Sequence, residues 1–328
     1  MLFLNMLIIG TLISISSYSW FAMWIGLEMN LLSFIPLMND KFSKSSEASL
    51  KYFIIQAISS TFILFSILMM ISFNEHLMVM EYPFSLIMNS AFLTKMGTAP
   101  FHFWFPEIIE GLSWMNCMIL LTWQKIAPMV LVMYNFNSTI FFSVVIILTM
   151  VISGVLNWNQ LNLKKFLAFS SMNHMGWMLS MIYFTQSNWI IYFLIYSFIT
   201  IMMISLFYKL NIQNFPQLIL ILNENKNLKL FFFLNLFSLG GLPPFLGFFP
   251  KWLVLKALLE ANLTFLAFLM IFATLIMLYS YVRLTFNALT IKTSEMKMIS
   301  NSLNVNFTFL ANFLNIVGLL GFSLFLNY

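Results

Sequence analysis

Apolar runs long enough to cross a bilayer recur from one end of the chain to the other. A hydrocarbon core of about 30 Å requires roughly 20 predominantly apolar residues in a helix. Such windows fall at 2–18, 20–38, 50–73, 83–105, 114–134, 139–156, 164–184, 188–208, 229–259, 262–289 and 305–326. We therefore predict an all-α polytopic membrane protein with about eleven transmembrane helices. The longest polar loops are expected at 209–228 and 290–304.

Two of these windows contain residues that break a helix. The fourth includes residues 94–107, TKMGTAPFHFWFPE, and the ninth includes residues 238–252, SLGGLPPFLGFFPKW. Glycine and proline leave backbone groups without helical partners, and a membrane tolerates such groups only inside protein or beside a wet cavity. Because each half of the chain holds one such window with a lysine in it, the pattern indicates a transporter-type ion site.

The order of the windows also predicts an internal symmetry. The interrupted helices are the fourth and the ninth, so they are five helices apart and cross the membrane in opposite directions. Helices one to five, within residues 1–138, and helices six to ten, within residues 139–290, are therefore expected to form two inverted five-helix repeats with one broken helix each. Residues 291–328 would then supply a C-terminal loop and the eleventh helix.

Lysines concentrate in the loops and helix ends that follow the even-numbered helices. The opposite loops hold Glu75, His76, Glu81 and Glu260, with Lys256 as the one cation near a helix end. An excess of lysine and arginine marks the inner side of a membrane protein, so the N-terminus is predicted to share the lysine-rich side. The lysines of that side are Lys41, Lys44, Lys51, Lys164, Lys165, Lys209, Lys226, Lys229, Lys292 and Lys297.

Composition agrees with a membrane protein and excludes several other classes. Hydrophobic residues make up 61% of the 328 positions and charged residues only 8%, which is outside the balance of a soluble domain. The net charge of +5 is spread too thinly for a nucleic-acid-binding patch. Cys117 is the only cysteine, and no nucleotide-binding motif or spaced Cys/His cluster is present. We predict no redox centre, cofactor, metal ion or bound nucleotide on this chain.

Four charged residues lie far from any predicted helix end: Glu28, Lys95, Lys125 and Lys251. Each would cost about 2.5–3.5 kcal/mol at the centre of a bilayer, so pairing or hydration must offset most of that cost. Glu28 and Lys125 are about nine residues from their nearer helix ends, roughly 13 Å at 1.5 Å per residue. Side chains at that depth do not reach the headgroups comfortably, and such residues are functional candidates by default.

Lysine suits proton transfer at this depth for a definite reason. Burial lowers the pKa of a lysine from about 10.4, while a nearby carboxylate raises it again. A Glu28–Lys95 pair that forms and separates would therefore load and unload a proton, which an arginine could not do because it stays charged. The alternatives are a static buried Glu28–Lys95 ion pair and purely structural roles for Lys125 and Lys251.

The remaining ionisable residues give a weaker signal. His174, about ten residues into its helix, and His102, just past the first break, are either satisfied core histidines or members of a proton relay. Glu107 and Glu110 are expected in a surface loop that offers no pocket. Three cations near helix ends are expected to extend their charged groups to the interface: Lys51, Lys256 and Arg283.

Motifs along the first nine helices point to a known family. They are GLEMN at 26–30, EASLKYF at 47–53, KMGTAPFHFW at 95–104, TWQKIAP at 122–128, FSSMNHMGW at 169–177, SLGGLPP at 238–244 and PKW at 250–252. In these motifs the chain resembles the chain 2 family of antiporter-like subunits of mitochondrial NADH:ubiquinone oxidoreductase, respiratory complex I. The region after about residue 290 carries no recognisable motif.

This resemblance implies both a fold and a site. The fold would be the antiporter-like one, with two inverted five-helix repeats and a broken helix in each. Glu28, Lys95, Lys125 and Lys251 would belong to a central hydrophilic axis. In that axis Glu28 and Lys95 form the coupling pair, Lys125 relays protons, and Lys251 is the lysine of the second broken helix.

The resemblance also implies a location and partners. The protein would be a multi-pass subunit of the mitochondrial inner membrane, with its N-terminus and lysine-rich loops toward the matrix. It would translocate protons, driven by electron transfer from NADH to ubiquinone elsewhere in the complex, and contact other membrane-arm subunits, lipid, water and protons. Bacterial relatives have three more N-terminal helices, so partner subunits are expected to cover the first helices. Two alternatives remain open: a structural membrane brace and a stand-alone cation/proton antiporter.

Overall fold

The structure is a computed structural model that describes residues 2–39, 43–73, 81–136, 138–182, 184, 186–224, 226–290, 313 and 318. Within these ranges the chain is helical, and the only β-type pairing is an isolated antiparallel bridge between Asn162 and Asn214. The chain divides into two compact units, Met1–Val145 and Ile146–Tyr328. We call them unit 1 and unit 2 and describe each by itself.

Unit 1 contains seven described helices and one short 3₁₀ turn. The turn, Trp123–Lys125, lies directly before the last of these helices. The helices are α1 (Leu2–Ser16), α2 (Trp20–Met38), α3 (Ser43–Phe73), α4 (Glu81–Met96), α5 (Trp104–Gly111), α6 (Trp114–Leu121) and α7 (Ile126–Tyr134).

The boundary between the units falls inside α8 (Thr139–Asn157). Unit 2 then continues with six described helices. They are α9 (Leu163–Met181), α10 (Gln186–Leu210), α11 (Phe215–Glu224), α12 (Lys226–Gly240), α13 (Phe248–Glu260) and α14 (Thr264–Thr290).

The prediction of an all-helical membrane protein is confirmed at this level. The predicted number of eleven transmembrane helices is larger than the number of long apolar helices described. α1 and residues 227–240 are apolar but short. The helix expected at 305–326 lies outside the described residues, apart from Phe313 and Gly318. In the described part of the chain, six segments are long and apolar enough to cross a membrane: Trp20–Met38, Ser43–Ser72, Trp114–Tyr134, Thr139–Asn157, Ser187–Leu210 and Thr264–Thr290.

The helix expected at 114–134 is interrupted rather than continuous. α6 ends at Leu121, the 3₁₀ turn follows, and α7 begins at Ile126. Pro128 supplies no N–H, so the carbonyl four residues earlier, that of Gln124, has no helical donor and the turn before the proline unwinds. Lys125 thus lies at a helix break, which the sequence reading had not predicted.

Two further predictions, both of loops, were wrong. Residues 209–228 contain a short helix, α11, whose Leu218 and Leu222 are buried one turn apart, as in an amphipathic helix. Glu107 and Glu110 lie on α5 and not in a loop. Glu107 occupies the first turn of α5, where the helix dipole favours an anion. It pairs with Lys51 at 3.2 Å, and Lys51 also pairs with Glu47 at 3.0 Å.

The first break, residues 97–103, satisfies the carbonyl groups at the end of α4 by identifiable donors. Gly97 has a φ of 72°, which favours glycine, and its N–H donates to the Thr94 carbonyl at 3.1 Å. The N–H of Thr98 donates to the Leu93 carbonyl at 3.2 Å. The indole N–H of Trp104 also donates to the Thr94 carbonyl, at 3.0 Å, so α5 is tied back to α4 across the break.

The second break, residues 241–247, repeats this backbone pattern 144 residues later. Gly241 has a φ of 74°, and its N–H donates to the Ser238 carbonyl at 3.0 Å. The N–H of Leu242 donates to the Phe237 carbonyl at 3.1 Å. Both breaks therefore end the preceding helix with the same pair of hydrogen bonds around a left-handed glycine.

Close contact between α1 and α2 depends on small residues. A Cβ placed on Gly26 would lie 2.6 Å from the backbone nitrogen of Ser14, and one on Gly10 would lie 2.9 Å from the backbone nitrogen of Asn30. Small residues that let two helix backbones approach are a general means of association in membranes, where apolar burial alone drives little.

We expect Gly26→Ala to lower the free energy of unfolding by about 1–3 kcal/mol, the usual range for overpacking. The added methyl would meet backbone atoms of α1, which cannot move without shifting the whole helix. The measurement is the thermal stability of the assembled protein. Gly154→Ala is the matched control, because its Cβ would lie 3.3 Å from a side-chain atom of Ile276, which can give way. Equal stability of both variants would contradict the close-packing account.

Candidate functional site

A small polar cavity lies in unit 1 between α2, α3, α4 and the region of the 3₁₀ turn. Its volume is about 20 Å³, enough for roughly one water molecule. A polar cavity of this size within an apolar helical unit gives an ionisable group a place to be hydrated. Its polar lining consists of Asn30, Tyr52, Gln56, Lys95 and Gln124.

Hydrogen bonds and ring contacts hold the walls of this cavity in place. The amide of Gln124 donates to the Asn30 side-chain oxygen at 2.8 Å, which joins the 3₁₀ turn to α2. The amide of Gln56 donates to the backbone carbonyl of Lys95 at 3.4 Å and thereby satisfies one of the last carbonyl groups of α4. Tyr52 is buried, with its ring 6.1 Å from that of Trp104.

Glu28 and Lys95 approach each other without direct contact. Lys95 is 8% exposed and lines the cavity. It lies close enough to Glu28 for the two side chains to interact electrostatically. In the described part of the chain they form no ion pair, and Oε1 of Glu28 is buried and accepts no hydrogen bond. A buried carboxylate oxygen left in this state is costly unless water or an approaching cation satisfies it.

Lys125 lies against the first break through an aromatic ring. It is 3% exposed, and its Nζ is 5.5 Å from the centre of the Phe105 ring. Phe105 packs onto Gly97, where an added Cβ would come within 2.9 Å of the Phe105 Cβ. The position of this ring, and with it the surroundings of Lys125, therefore depends on the glycine of the break.

Lys251 satisfies the end of a broken helix in unit 2. It is 7% exposed, on the first turn of α13, and its ammonium group donates to the carbonyls of Leu239 at 3.3 Å and Gly240 at 2.7 Å. These are the last carbonyls of α12, where the helix dipole favours a cation. The absence of a side chain on Gly241 makes room for it, since a Cβ there would lie 2.7 Å from Lys251 Cδ.

The two histidines have different surroundings. His174 is buried in α9 with Nδ1 3.0 Å from the Tyr192 hydroxyl, and Trp177 one turn later lies 5.9 Å from Lys251 Nζ. His102 lies in the first break, 3% exposed, with its ring 4.3 Å from that of Phe103. Both of its ring nitrogens are buried and make no hydrogen bond of good geometry with the described residues, although the Pro100 carbonyl is near.

The predicted site residues thus fall into two groups. Glu28, Lys95, His102 and Lys125 belong to unit 1, while His174 and Lys251 share a neighbourhood in unit 2 through Trp177. The amides of the cavity wall and the Tyr192 hydroxyl were not predicted, because only charged residues and histidines were chosen as candidates. An amide within a long apolar run, such as Gln56 in α3, is the signal that would have found the amides of the cavity wall.

Comparison with known proteins identifies the family. Residues 17–277 match the family described as "NADH:quinone oxidoreductase/Mrp antiporter, TM". NADH-ubiquinone oxidoreductase chain 2 of Anopheles gambiae is 46% identical over 98% of this chain and 96% of its own length. The chain 2 protein of Aedes aegypti is 49% identical over 97% of this chain and 95% of its own length. This chain belongs to the NADH-ubiquinone oxidoreductase chain 2 family. The resemblance inferred from the motifs is confirmed.

Solved structures show that this chain has the antiporter-like fold. A chain of respiratory complex I from Thermus thermophilus with bound aureothin superposes with a TM-score of 0.87, at 21% identity, covering 98% of this chain and 78% of that one. A chain of the Mrp complex from Dietzia superposes with a TM-score of 0.78, at 14% identity, covering 99% of this chain and 75% of that one. At these identities the likeness concerns the fold alone.

We expect Gly241→Ala to displace the ammonium group of Lys251 and to destabilise the second break. A residue other than glycine in the left-handed region costs about 1–2 kcal/mol, and the new methyl would overlap the Lys251 side chain. Turnover of the assembled complex should fall and its thermal stability should decrease.

Gly240→Ala is the matched control for this variant. The neighbouring glycine is helical, and a Cβ there would make an ordinary contact of 3.5 Å with Tyr281. If both variants lose stability and turnover equally, the left-handed glycine is not what holds Lys251 in place.

Proposed function

We propose that this chain is a membrane-arm subunit of respiratory complex I that translocates protons. The energy comes from electron transfer between NADH and ubiquinone in other subunits, so the chain acts as part of an enzyme without a redox centre, cofactor or bound nucleotide of its own. It resides in the mitochondrial inner membrane as a multi-pass protein. Its family membership and its antiporter-like fold support this assignment.

The observation that carries the proposal is the separated pair of Glu28 and Lys95, of which Lys95 lines a hydratable cavity. The charge of Glu28 acts on Lys95, although the two side chains are not in direct contact. The cavity that Lys95 lines has room for roughly one water. An acid and a base that are coupled but not locked together can exchange a proton when either moves or when water bridges them. Lys95 is therefore assigned as the proton carrier and Glu28 as its switch.

We assign the remaining predicted residues to the same proton axis. Lys125 receives the proton at the interrupted helix, and Lys251 carries it at the second break. His102 and His174 serve as relays, with Tyr192 as the hydrogen-bond partner of His174. Buried imidazoles beside hydroxyl groups or carbonyls are suited to pass a proton because one ring nitrogen can accept as the other donates.

The chain is proposed to be arranged as two inverted five-helix repeats. Residues 1–138 and 139–290 form the repeats. The loop and eleventh helix expected in 291–328 lie outside the described residues, apart from Phe313 and Gly318. The matched backbone bonds at the two breaks support a repeat. The N-terminus and the lysine-rich loops face the matrix, in agreement with the usual bias of positive charge. The partners are other membrane-arm subunits, together with lipid, water and protons.

A structural brace is a second candidate function, and one observation favours it. Lys251 donates to the last two carbonyls of α12, which is what a capping residue does whether or not it carries protons. A stand-alone cation/proton antiporter is a third candidate, supported only by the fold shared with the Mrp complex chain. Transport by the purified chain alone in liposomes would favour the antiporter over a subunit that depends on redox chemistry elsewhere.

We expect Lys95→Met to abolish proton translocation while the complex still assembles. Methionine has a similar volume and no proton to give, and loss of a positioned proton-transfer group typically costs roughly a hundredfold or more in rate. The measurement is NADH:ubiquinone turnover, together with protons moved per electron, in proteoliposomes that contain the assembled complex. Lys256→Met is the matched control, because Lys256 is exposed near the end of α13 and should leave both quantities unchanged. Normal turnover and proton yield in Lys95→Met would remove Lys95 from the axis.

The double variant Glu28→Met with Lys95→Met separates proton transfer from bracing. As a brace, the pair could be replaced by apolar side chains of similar volume at little cost, as often holds for buried ion pairs. We expect the double variant to assemble normally, as judged by native gel electrophoresis, and to pump no better than Lys95→Met. A proton yield restored to the wild-type value would favour the brace.

A further inference from the structure

A second and much larger cavity lies in unit 2, apart from every residue assigned to proton transfer. It has a volume of about 320 Å³, within the size range of small-molecule sites. It opens between the end of α8, the start of α9, α11 and the last turns of α14. None of the residues that line it is acidic. Asn157, Ser280 and Arg283 provide polar groups, while Trp158, Phe166 and Phe215 provide aromatic walls.

The only arginine in the sequence stands at this cavity. Nη1 of Arg283 donates to the carbonyl of Trp158 at 3.2 Å, which anchors the guanidinium group. A guanidinium has five N–H donors, so four remain after that bond. Among the described residues Arg283 forms no ion pair. Its fixed and uncompensated charge favours an anion, and its planar fork matches a phosphate better than a lysine would.

Asn157 adds an acceptor to this donor. It is 2% exposed, and its Nδ2 donates to the Ser280 hydroxyl at 3.0 Å and lies 3.2 Å from the sulfur of Met277. A thioether can only accept, so the amide nitrogen must face Met277 and the oxygen must face the other way. That oxygen is buried and accepts no hydrogen bond from the described residues. A ligand that satisfies it must carry an N–H or O–H group.

The surroundings indicate the level of the lipid headgroups. Arg283 is seven residues before the end of α14, roughly 10 Å along the helix, which is within the reach of a long side chain to the interface. Tyr279 and Phe286, one turn to either side of it, are 51% and 59% exposed, as expected for residues that contact acyl chains. Trp158, 47% exposed, has the half-buried position typical of interfacial tryptophan.

We propose that this cavity binds the headgroup of a phospholipid whose phosphate pairs with Arg283 and whose terminal ammonium or hydroxyl group donates to Asn157 Oδ1. Ethanolamine and glycerol headgroups have the required donor, and a choline headgroup does not. The aromatic walls accept the glycerol backbone and the first carbons of the acyl chains. The site is a lipid-binding site on the side of the predicted lysine-rich loops, separate from the proton axis.

The test uses photoactivatable phospholipids in nanodiscs that contain the assembled complex. A phosphatidylethanolamine probe with a diazirine near its glycerol backbone should label residues 157–166 and 280–287, as mapped by mass spectrometry. Arg283→Gln should lower this labelling roughly tenfold, the effect of losing a charge-assisted hydrogen bond. Arg283→Lys should label more than Arg283→Gln and less than the wild type, because the positive charge remains while the planar fork is lost. Lys256→Gln, which removes an exposed cation elsewhere, should leave it unchanged.

Two further arms identify the ligand. A phosphatidylcholine probe should label several-fold less than the ethanolamine probe in the wild-type complex, and this comparison stands even if Arg283→Gln fails to assemble. Inorganic phosphate in large excess should not compete. Equal labelling by both probes, equal labelling of wild type and Arg283→Gln, or an unlabelled wild-type cavity would overturn the proposal. Full competition by inorganic phosphate would assign the site to a free anion and not to lipid.

Discussion

The structure depends on how backbone carbonyl groups are satisfied where helices break inside the membrane. Water is scarce there, so each carbonyl at a broken helix end needs a donor from the protein. The last turn of α4 finds donors in the next N–H groups, in the Trp104 indole and in the Gln56 amide. The last turn of α12 finds them in the next N–H groups and in the Lys251 ammonium. A break that meets this requirement can expose a polar surface in the interior without unfolding the helices around it.

The two breaks meet the same requirement with different chemistry. At the first, a neutral amide satisfies the Lys95 carbonyl, and the Lys95 side chain is left to face the cavity and the charge of Glu28. At the second, the lysine itself satisfies the carbonyls. The residue that matches Lys251 at a spacing of 144 is Glu107, which pairs with Lys51. The two breaks thus share their backbone hydrogen bonds but have opposite charges at matching positions, Glu107 and Lys251. Lys95 and Lys251 are therefore not equivalent.

Much of the fold could be predicted because the membrane imposes a simple length rule and because glycine and proline mark breaks directly. The break at Lys125 was missed because its only signal is Pro128, and a proline can also lie in an intact first turn. α11 was missed because a short amphipathic helix in a polar region resembles a loop with a few leucines. The charged members of the site were visible at once, since charge is rare in apolar runs. The amides that line the cavity could not be predicted in the same way, because packing decides which amides of the chain face a common cavity.

The contacts of Lys251 link its charge state to the conformation of the chain. An ammonium group makes charge-assisted hydrogen bonds to carbonyl oxygens, and these are roughly twice as strong as the bonds that a neutral amine would make. Release of a proton at this position therefore weakens the attachment of α13 to the end of α12. The position of α13 against the end of α12 thus rests on the charge of one side chain.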